Sequence, residues 1–539
     1  MKDMNKPSTK DPGRKGTAWS PLYQPVFRAL WIASIVSNIG TWMQNTATAW
    51  LMTSITSSSV MVALVQTATS LPMFLLALPA GALADVLDRR RLILFTQAWM
   101  LAAAALLGGL TLAGETTPWI LLTLTLLLGL GAAMNAPAWQ AIIPELVTRT
   151  EIPSAVALNS AGFNVARSIG PALGGLVVGA MGAGNAFLIN ALSYLGVVVV
   201  LYYWKRPKSR STLPAERMIG AMRTGVRFVR HAPALRAIFV RAAAFITCAS
   251  ALMALLPILA RHNLGLGSLG FGILLGSFGM GAVAGALILP EIRRRISIDL
   301  QVTLSTILFA VVFLALAYLQ NFIILCGAIL TAGAAWLTLL SIFNSSVQSM
   351  APSWVRGRAL AVYMFIFFGG MAAGSFLWGT ITSYLGISRT FVLASLTMVA
   401  GLGVTARFRL ASAEHLDLTP SMHWPAPTLA VNPQLENGPV LVMIEYHIDP
   451  ADSHEFGMAL KRLRNVRLRD GAIRWDLFVD AAKPERYIES FLVESWMEHL
   501  RQHERVTVAD REVEKRVRAF HKGTEPPVVT HLLARALPK

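Results

Sequence analysis

Carboxylates are scarce where this sequence is most apolar. Only ten of its 29 Asp and Glu residues fall in the first 410 positions: Asp3, Asp11, Asp85, Asp88, Glu115, Glu145, Glu151, Glu216, Glu291 and Asp299. All ten sit in tails, in connections or at the ends of apolar runs, so none is placed to carry a proton at the centre of a membrane span. Cysteine is nearly absent. Cys248 and Cys326 both lie inside apolar runs, which excludes a disulfide framework or cysteine-based metal site and leaves two small core hydrophobes. No apolar stretch opens the chain. Residues 1–20 are basic and rich in Pro, Gly, Ser and Thr, a composition that predicts a disordered arm and no cleavable signal peptide. Nor is there a basic soluble domain: residues 411–539 hold 17 Lys and Arg against 19 Asp and Glu, which argues against nucleic acid as a partner.

Apolar residues are what the chain has in excess. Of 539 residues, 54% are hydrophobic and 14% charged, with mean hydropathy +0.54, far more apolar side chain than one soluble core can use. Twelve runs are long enough to cross a hydrocarbon layer about 30 Å thick at about 1.5 Å per residue. They lie near 27–50, 60–84, 92–114, 118–143, 157–180, 185–204, 236–260, 270–290, 299–319, 322–350, 359–384 and 390–410. The seventh carries Arg241 near its start, and the tenth is long and rich in Ser and Thr. Connections on one side carry eighteen Lys and Arg, nine of them between 205 and 236, whereas the other side has only Arg261 and Arg389. Basic connections stay in the cytoplasm, so both termini are expected there, in a multi-pass protein of the inner membrane. The lipid bilayer is thus an obligatory partner.

The connection after the second run reads Gly81-Ala-Leu-Ala-Asp85-Val-Leu-Asp-Arg89-Arg90-Arg91. Its spacing resembles the loop 2–3 signature of the major facilitator superfamily. The resemblance implies twelve transmembrane helices in two six-helix bundles around a central cavity, with Gly81, Asp85, Arg89 and Arg90 forming a cytoplasmic latch. The chain's own repeat agrees with two bundles: Gln140-x-x-x-Pro144 returns as Gln348-x-x-x-Pro352, 208 residues on. In the fifth span, Gly170-Pro171-x-x-Gly174-Gly175 is similar to the fifth-helix motif of the superfamily's exporters, with Ala166 in place of the usual leading glycine. Glycines let helix backbones approach, and a proline inside a span removes one hydrogen bond. The resemblance implies a hinge and seal against the eighth span, where Gly272, Gly276, Gly279, Gly281 and Gly285 offer a matching small-residue surface. Ordinary tight packing would use the same residues.

Arg167 is the one charge well inside a span, about ten residues or roughly 15 Å from the start of the fifth helix. A charge there costs a few kcal/mol or more unless paired or hydrated, so it should face a cavity, either as a clamp on neighbouring polar groups or as a contact for substrate. Other polar residues inside spans are Asn38, Gln44, Asn45, Gln66, Asn135, Gln140, Asn190, Asn344 and Gln348. Spans one, four and ten line the cavity in this superfamily, which makes Asn38, Asn45, Asn135, Gln140, Asn344 and Gln348 substrate candidates beside Arg167. Each also suits an interhelical hydrogen bond. Together with the first span and the Asn135-Ala-Pro-Ala-Trp139-Gln140 stretch, the resemblance narrows to the branch containing enterobactin-exporter-like and macrolide-efflux-like proteins. It implies export of a small organic compound, a drug, siderophore or other metabolite, by alternating access. Proton coupling would rest on that likeness alone, since Thr125 stands where proton-driven drug antiporters carry an arginine ahead of Gly129 and Gly131. Neither cofactor nor metal is expected.

After a Pro-rich linker, strands are expected at 440–447, 473–479, 487–495 and 528–533, with helices at 451–468 and 496–520. Alternation of Val440, Val442, Ile444 and Tyr446 marks the first strand, and Ala459, Leu460 and Leu463 the first helical stripe. The order βαββαβ is ferredoxin-like. It resembles the dimeric α+β barrel of antibiotic-biosynthesis-type monooxygenases, as does the junction Glu494-Ser-Trp496-x-x-His499. His499 and His503, four apart on one helix, either share a ligand or metal or form a solvated face. The expected organisation is an arm at 1–20, six-helix bundles at 21–204 and 236–410, linkers at 205–235 and 411–439, and a soluble α+β domain at 440–539. Two further readings of that domain stand beside an exporter with no catalytic residues: a cofactor-independent monooxygenase, or a regulatory module through which the protein self-associates.

Overall fold

The computed structural model describes residues 18–204, 227–352, 354–405, 408, 417–421, 423–424 and 437–534. Among them are twelve long helices: α1 (Pro25–Ile55), α2 (Ser59–Val86), α3 (Arg89–Leu112), α4 (Pro118–Leu146), α5 (Ile152–Met181), α6 (Ala183–Tyr203), α7 (Pro233–Ile258), α8 (Ser268–Arg295), α9 (Ile298–Tyr318), α10 (Phe322–Met350), α11 (Arg356–Leu385) and α12 (Ile387–Thr405). This is the helical membrane fold that the apolar runs predict. Ten of the twelve are both long and apolar enough to cross a membrane. The exceptions, α1 and α5, have the length at 31 and 30 residues but are richer in polar side chains. In α1 those polar groups turn inward: Ser34, Ser37, Gln44, Thr46 and Thr48 are all buried. Apolar side chains such as Ile32, Phe95, Leu287 and Ile323 are exposed instead, as a lipid-facing surface requires.

Local chemistry sets the breaks between helices. Asp88 accepts a hydrogen bond from the Arg91 amide at 2.9 Å and caps α3, and Thr117 does the same for α4, each satisfying an orphan N–H. Gly182, at φ 85°, makes the one-residue break between α5 and α6, and Gly386, at φ 77°, makes the break between α11 and α12. Only glycine adopts that conformation without strain. The two lie 204 positions apart, and mark the same corner in the two halves.

By its contacts the chain forms two compact units, one of Met1–Ala215, Val240–Phe343 and Met364–Phe408, the other of Glu216–Phe239, Asn344–Tyr363 and Arg409–Lys539. In the first, the Arg241 charge that marked the seventh span is 8% exposed and donates to Asp299 at the start of α9 across 2.6 Å. Pairing removes most of the cost of a charge at that depth.

The second unit contains the C-terminal α+β domain: β1 (Val440–His447), α13 (Ser453–Asp470), β2 (Ala472–Val479), β3 (Arg486–Val493), α14 (Trp496–Arg505), α15 (Val508–Arg518) and β4 (Val528–Leu533). The sheet is antiparallel with order β2-β3-β1-β4, the ferredoxin-like arrangement. Val440, Val442, Ile444 and Tyr446 point to one face and pack with Phe456, Leu460 and Leu463 of α13, Phe491 of β3 and Val517 of α15. Among the described residues, no helix of the domain covers the other face. It presents Leu441, Met443, Ile488, Leu492 and Phe478 around a groove of about 360 Å³. Of the expected linkers, residues 205–226 lie outside the described residues, as do 1–17 of the arm and most of 409–436.

Candidate functional site

Glycines bring α5 and α8 into backbone contact. A side chain on Gly175 would put its Cβ 2.5 Å from the Ser268 carbonyl oxygen and 3.0 Å from Cα of Gly272. A Cβ on Gly272 would meet the Pro171 carbonyl at 2.6 Å, and one on Gly279 the Ser168 Cα at 2.8 Å. Gly174 faces the Met43 backbone of α1, and Gly170 the Trp42 side chain. Gly276 is looser, with its nearest neighbour at 3.5 Å. The fifth-span motif therefore serves two seams, Gly170 and Gly174 against α1, Gly175 and Pro171 against α8.

The loop after α2 is only partly described: Gly81 and Asp85 belong to α2, and their side chains lie outside the described residues. Arg89 donates to Glu145 across 2.8 Å and to the Ala141 carbonyl across 3.2 Å, and so ties the start of α3 to the end of α4. Arg90 donates to the carbonyls of Leu201 and Tyr202 at 2.7 and 2.8 Å. These are the orphan acceptors at the C-terminus of α6, where the helix dipole also favours a cation. The two arginines thereby gather three helix ends within the first half.

Arg167 has its guanidinium carbon 5.8 Å from the Trp42 ring centroid and 5.6 Å from that of Phe278, so α1, α5 and α8 meet around it. Each cation–π contact is worth about 0.5–2 kcal/mol, and among the described residues no carboxylate pairs with it. The other predicted residues divide. Asn135 accepts from Thr96 at 3.1 Å, an interhelical bond. Asn190 donates to Gln44 and to Tyr194 and sits beside Ser193, a buried network joining α1 and α6. Gln66 is spent on Ser70 one turn along. Gln348 donates to Asn344 on its own helix in the second unit. Asn38 is half-buried, while Asn45 and Gln140 are exposed. Thr125 turns its hydroxyl onto the Leu121 carbonyl at 2.6 Å.

A cluster that the sequence did not announce joins the halves where α1 and α7 finish and α2 and α8 begin. Arg261, in a π-helical turn at Leu259–Asn263, donates to Ser54 Oγ and lies 5.2 Å from the centroid of Trp50, which stacks on Phe271 at 5.9 Å. Ser59 donates to the Gly379 carbonyl at 3.2 Å at the same end, and Thr67 to that of Ala372 at 3.0 Å one layer deeper. Near the middle, the Phe74 and Phe365 rings meet at 4.1 Å, tilted by 31°. The available signal was that Arg261 is one of only two basic residues on the sparsely charged side.

The tail has a polar interior. Arg467 is 3% exposed and lies between Glu489, at 3.1 Å, and Glu514, at 2.7 Å. Tyr446 and Trp475 complete the hydrogen bonds to Glu489. From the segment before β1, His423 and Trp424 reach Glu514 at 2.9 and 3.0 Å, and the Trp424 ring faces Arg467 at 4.9 Å. Burial raises the Glu514 carboxyl, but the Arg467 charge and these hydrogen bonds outweigh it and hold it at about 2. His499 is 1% exposed, which rules out a solvated helix face. Burial, with His531 and His503 close by, pushes it down to about 3, and His503 to about 4. The two rings meet at 3.4 Å as neutral partners. Among the described residues no cluster of His, Cys, Asp or Glu is set to hold a metal.

With the geometry in place, comparison with known proteins adds the lineage. The family described as "Transmembrane secretion effector" matches residues 16–538, tail included. The chain is similar to the staphyloferrin A transporter of Staphylococcus aureus, with 24% identity over 370 residues, 68% of this chain and 92% of that protein. It is 26% identical over 403 residues to the multidrug efflux pump Tap of Mycolicibacterium fortuitum, covering 72% and 96% of the two chains. It is also 27% identical over 358 residues to the enterobactin exporter EntS of Escherichia coli, covering 66% and 85%. Among solved structures, a bacterial homologue of the human lysosomal transporter Spinster aligns with TM-score 0.59 at 13% identity over 72% of this chain and 98% of that one. The nucleoside transporter NupG gives 0.54 at 13%, over 71% and 99%. At such identities the structural likeness speaks for fold alone.

Proposed function

We infer a working cycle from a fixed premise: this protein belongs to the transmembrane secretion effector family, a branch of the major facilitator transporters, and is a secondary active exporter of small organic compounds. Our reading is that it exports an amphiphilic anion, carried past Arg167. The observation that supports this is a cation faced by two aromatic rings and, among the described residues, by no carboxylate. Cation–π contacts of about 0.5–2 kcal/mol each leave part of the cost of a buried charge uncompensated. An aromatic carboxylate or phenolate would supply both the missing charge and a ring to stack. Asn38, Asn45, Asn135, Gln140, Asn344 and Gln348 are the remaining candidates for the path.

Basic connections put both termini in the cytoplasm of the inner-membrane protein. In that orientation the Arg261, Trp50 and Ser59 contacts lie at the outer end, and the conformation is closed outward. The α5–α8 glycine seam is then part of the outer closure, which must part for release. Asp85 with Arg89 and Arg90 forms the cytoplasmic latch of the opposite state, with Arg89 and Arg90 holding the ends of α4 and α6 as its base. The tail is a non-catalytic module that self-associates through the half-buried apolar sheet face of Leu441, Met443, Ile488 and Leu492, since stacking on a second copy would bury it fully. Thermal stabilisation of the purified protein by salicylate, benzoate and tetraphenylphosphonium tests the site. Salicylate and benzoate should stabilise the wild type and lose that effect in Arg167→Gln. Stabilisation by tetraphenylphosphonium alone would refute an anion site.

A further inference from the structure

The C-terminal domain shares its compact unit with two short segments from the membrane half: Glu216–Phe239, between the six-helix halves, and Asn344–Tyr363, which spans the turn from α10 to α11. The contacts are specific. Arg227 donates to Glu498 of α14 across 2.9 Å, and Glu498 also receives Arg505 at 2.6 and 3.2 Å. Burial alone would raise the Glu498 carboxyl, yet Arg505 and Arg227 hold it below its ordinary value. Phe228, the next residue, is 1% exposed although it lies on a short helical turn. It is covered by Trp354, edge-on at 5.5 Å, and by the Arg469 guanidinium at 5.4 Å. Trp354 in turn has Arg505 over its ring at 4.6 Å.

Acidic partners inside the domain fix both stacking arginines. Asp470 binds Arg469 through both oxygens, at 2.7 and 2.9 Å, and Asp510 adds a third bond at 2.6 Å. Arg505 is held by Glu498 and by the Asp470 carbonyl at 2.8 Å. With their edges occupied, the two guanidiniums offer flat, weakly hydrated faces, the form in which arginine stacks on aromatic rings and lysine does not. The domain therefore presents two cationic plates and one shared carboxylate, and the membrane half presents two rings and one cation that fit them.

We propose that this face of the C-terminal domain is a built receptor for the protein's own cytoplasmic segments, a clamp tying the entry of α7 at Arg227–Phe228 to the α10–α11 turn at Trp354. The placement of those segments in the cytoplasm rests on the orientation given above. The clamp itself rests only on the contacts within this unit. Its consequence is that the entry of α7 and the α10–α11 turn cannot separate while the domain is docked, so anything that draws the domain away frees the second half to move.

The test cuts the full-length purified protein at a protease site placed within 409–416, upstream of the Asp417–Trp424 stretch that stays with the domain through the Pro420–Thr507 bridge and the Trp424–Glu514 bond. All substitutions lie outside the domain, so its fold is untouched. The severed domain should stay bound in the wild type, in Arg227→Lys and in Trp354→Phe. It should leave about ten- to a hundredfold faster in Arg227→Glu and in Trp354→Ala, the loss expected of one charge-assisted or stacked contact. Hydrogen exchange at β1 and β3 checks that the released domain is folded. Immediate loss of the domain from the wild type, or equal retention by all variants, would overturn the clamp. Neither outcome depends on what the protein exports.

Discussion

Substituting Gly175 with alanine should tip the transporter out of its present conformation. The new Cβ would lie 2.5 Å from the Ser268 carbonyl, 3.0 Å from Cα of Gly272 and 3.2 Å from Cα of Leu269. All three are backbone atoms, so no rotamer change relieves the overlap, and α5 and α8 must part by about 0.5–1 Å to restore ordinary contact. Overpacking of this kind costs about 1–3 kcal/mol. The cost falls only on the state in which the seam is closed, so the ratio of open to closed should rise by roughly 5- to 150-fold. Spin labels at Ser57 and Asn263, both exposed at that end, with Cys248 and Cys326 replaced, read the change as growth of a longer-distance population. Gly179→Ala is the control, because its Cβ would meet only the Ser268 hydroxyl, at 3.0 Å, and a side chain can turn away. An unchanged distance distribution in Gly175→Ala at normal yield, or an equal change in Gly179→Ala, would refute the seam as a gate.

Three further outcomes follow from the same geometry. Arg261→Ala removes the donor to Ser54 and the stack on Trp50, about 2 kcal/mol in all, and should lengthen the Ser57–Asn263 distance as Gly175→Ala does while leaving thermal stability within a few degrees. Arg167→Lys should keep part of the affinity for salicylate as a point charge, whereas Arg167→Gln should lose roughly tenfold or more; equal loss for every ligand in step with melting temperature would make Arg167 a clamp. The C-terminal domain should weaken on acidification, because His499 and His503, ordinarily near 6.5, are held down to about 3 and about 4. Below pH 6.5 the unfolded chain binds protons that the folded one refuses, so stability is full at neutral pH and falls toward pH 4, by about 3 kcal/mol for the pair at pH 5.5. Hydrogen exchange of the sheet in the intact protein at pH 7.5 and 5.5 measures it, and His499→Phe should flatten the dependence.

The elements that periodicity describes were legible in the sequence. Twelve apolar runs and an alternating Val440-x-Val442-x-Ile444-x-Tyr446 needed no tertiary information, because burial of one face or one whole helix imposes the pattern. Close approach was legible too: only glycine tolerates the contacts made by Gly174, Gly175 and Gly272. What depends on pairing was not. Arg241, near the start of the seventh span, has no partner visible in the sequence, and its partner Asp299 lies 58 residues on. His499 and His503 carry the spacing of a surface pair, and only His531 of β4 against the first and Trp424 against the second make them a buried neutral one. Arg261 and Trp50 lie more than 200 residues apart, and neither alone predicts the contact between them. Phe228 and Trp354 sit in connections where an aromatic draws no notice until an arginine from a distant domain covers it.

Export itself is tested most directly by the ratio of extracellular to intracellular small metabolites in three strains: one lacking the protein, one complemented with the wild type, and one complemented with Arg167→Gln at equal membrane level. At least one amphiphilic anion should accumulate inside the deletion strain, be released again by the wild type, and stay inside with Arg167→Gln. Identical ratios in all three strains for every anionic metabolite, or a retained compound that is cationic and exported equally by Arg167→Gln, would contradict it.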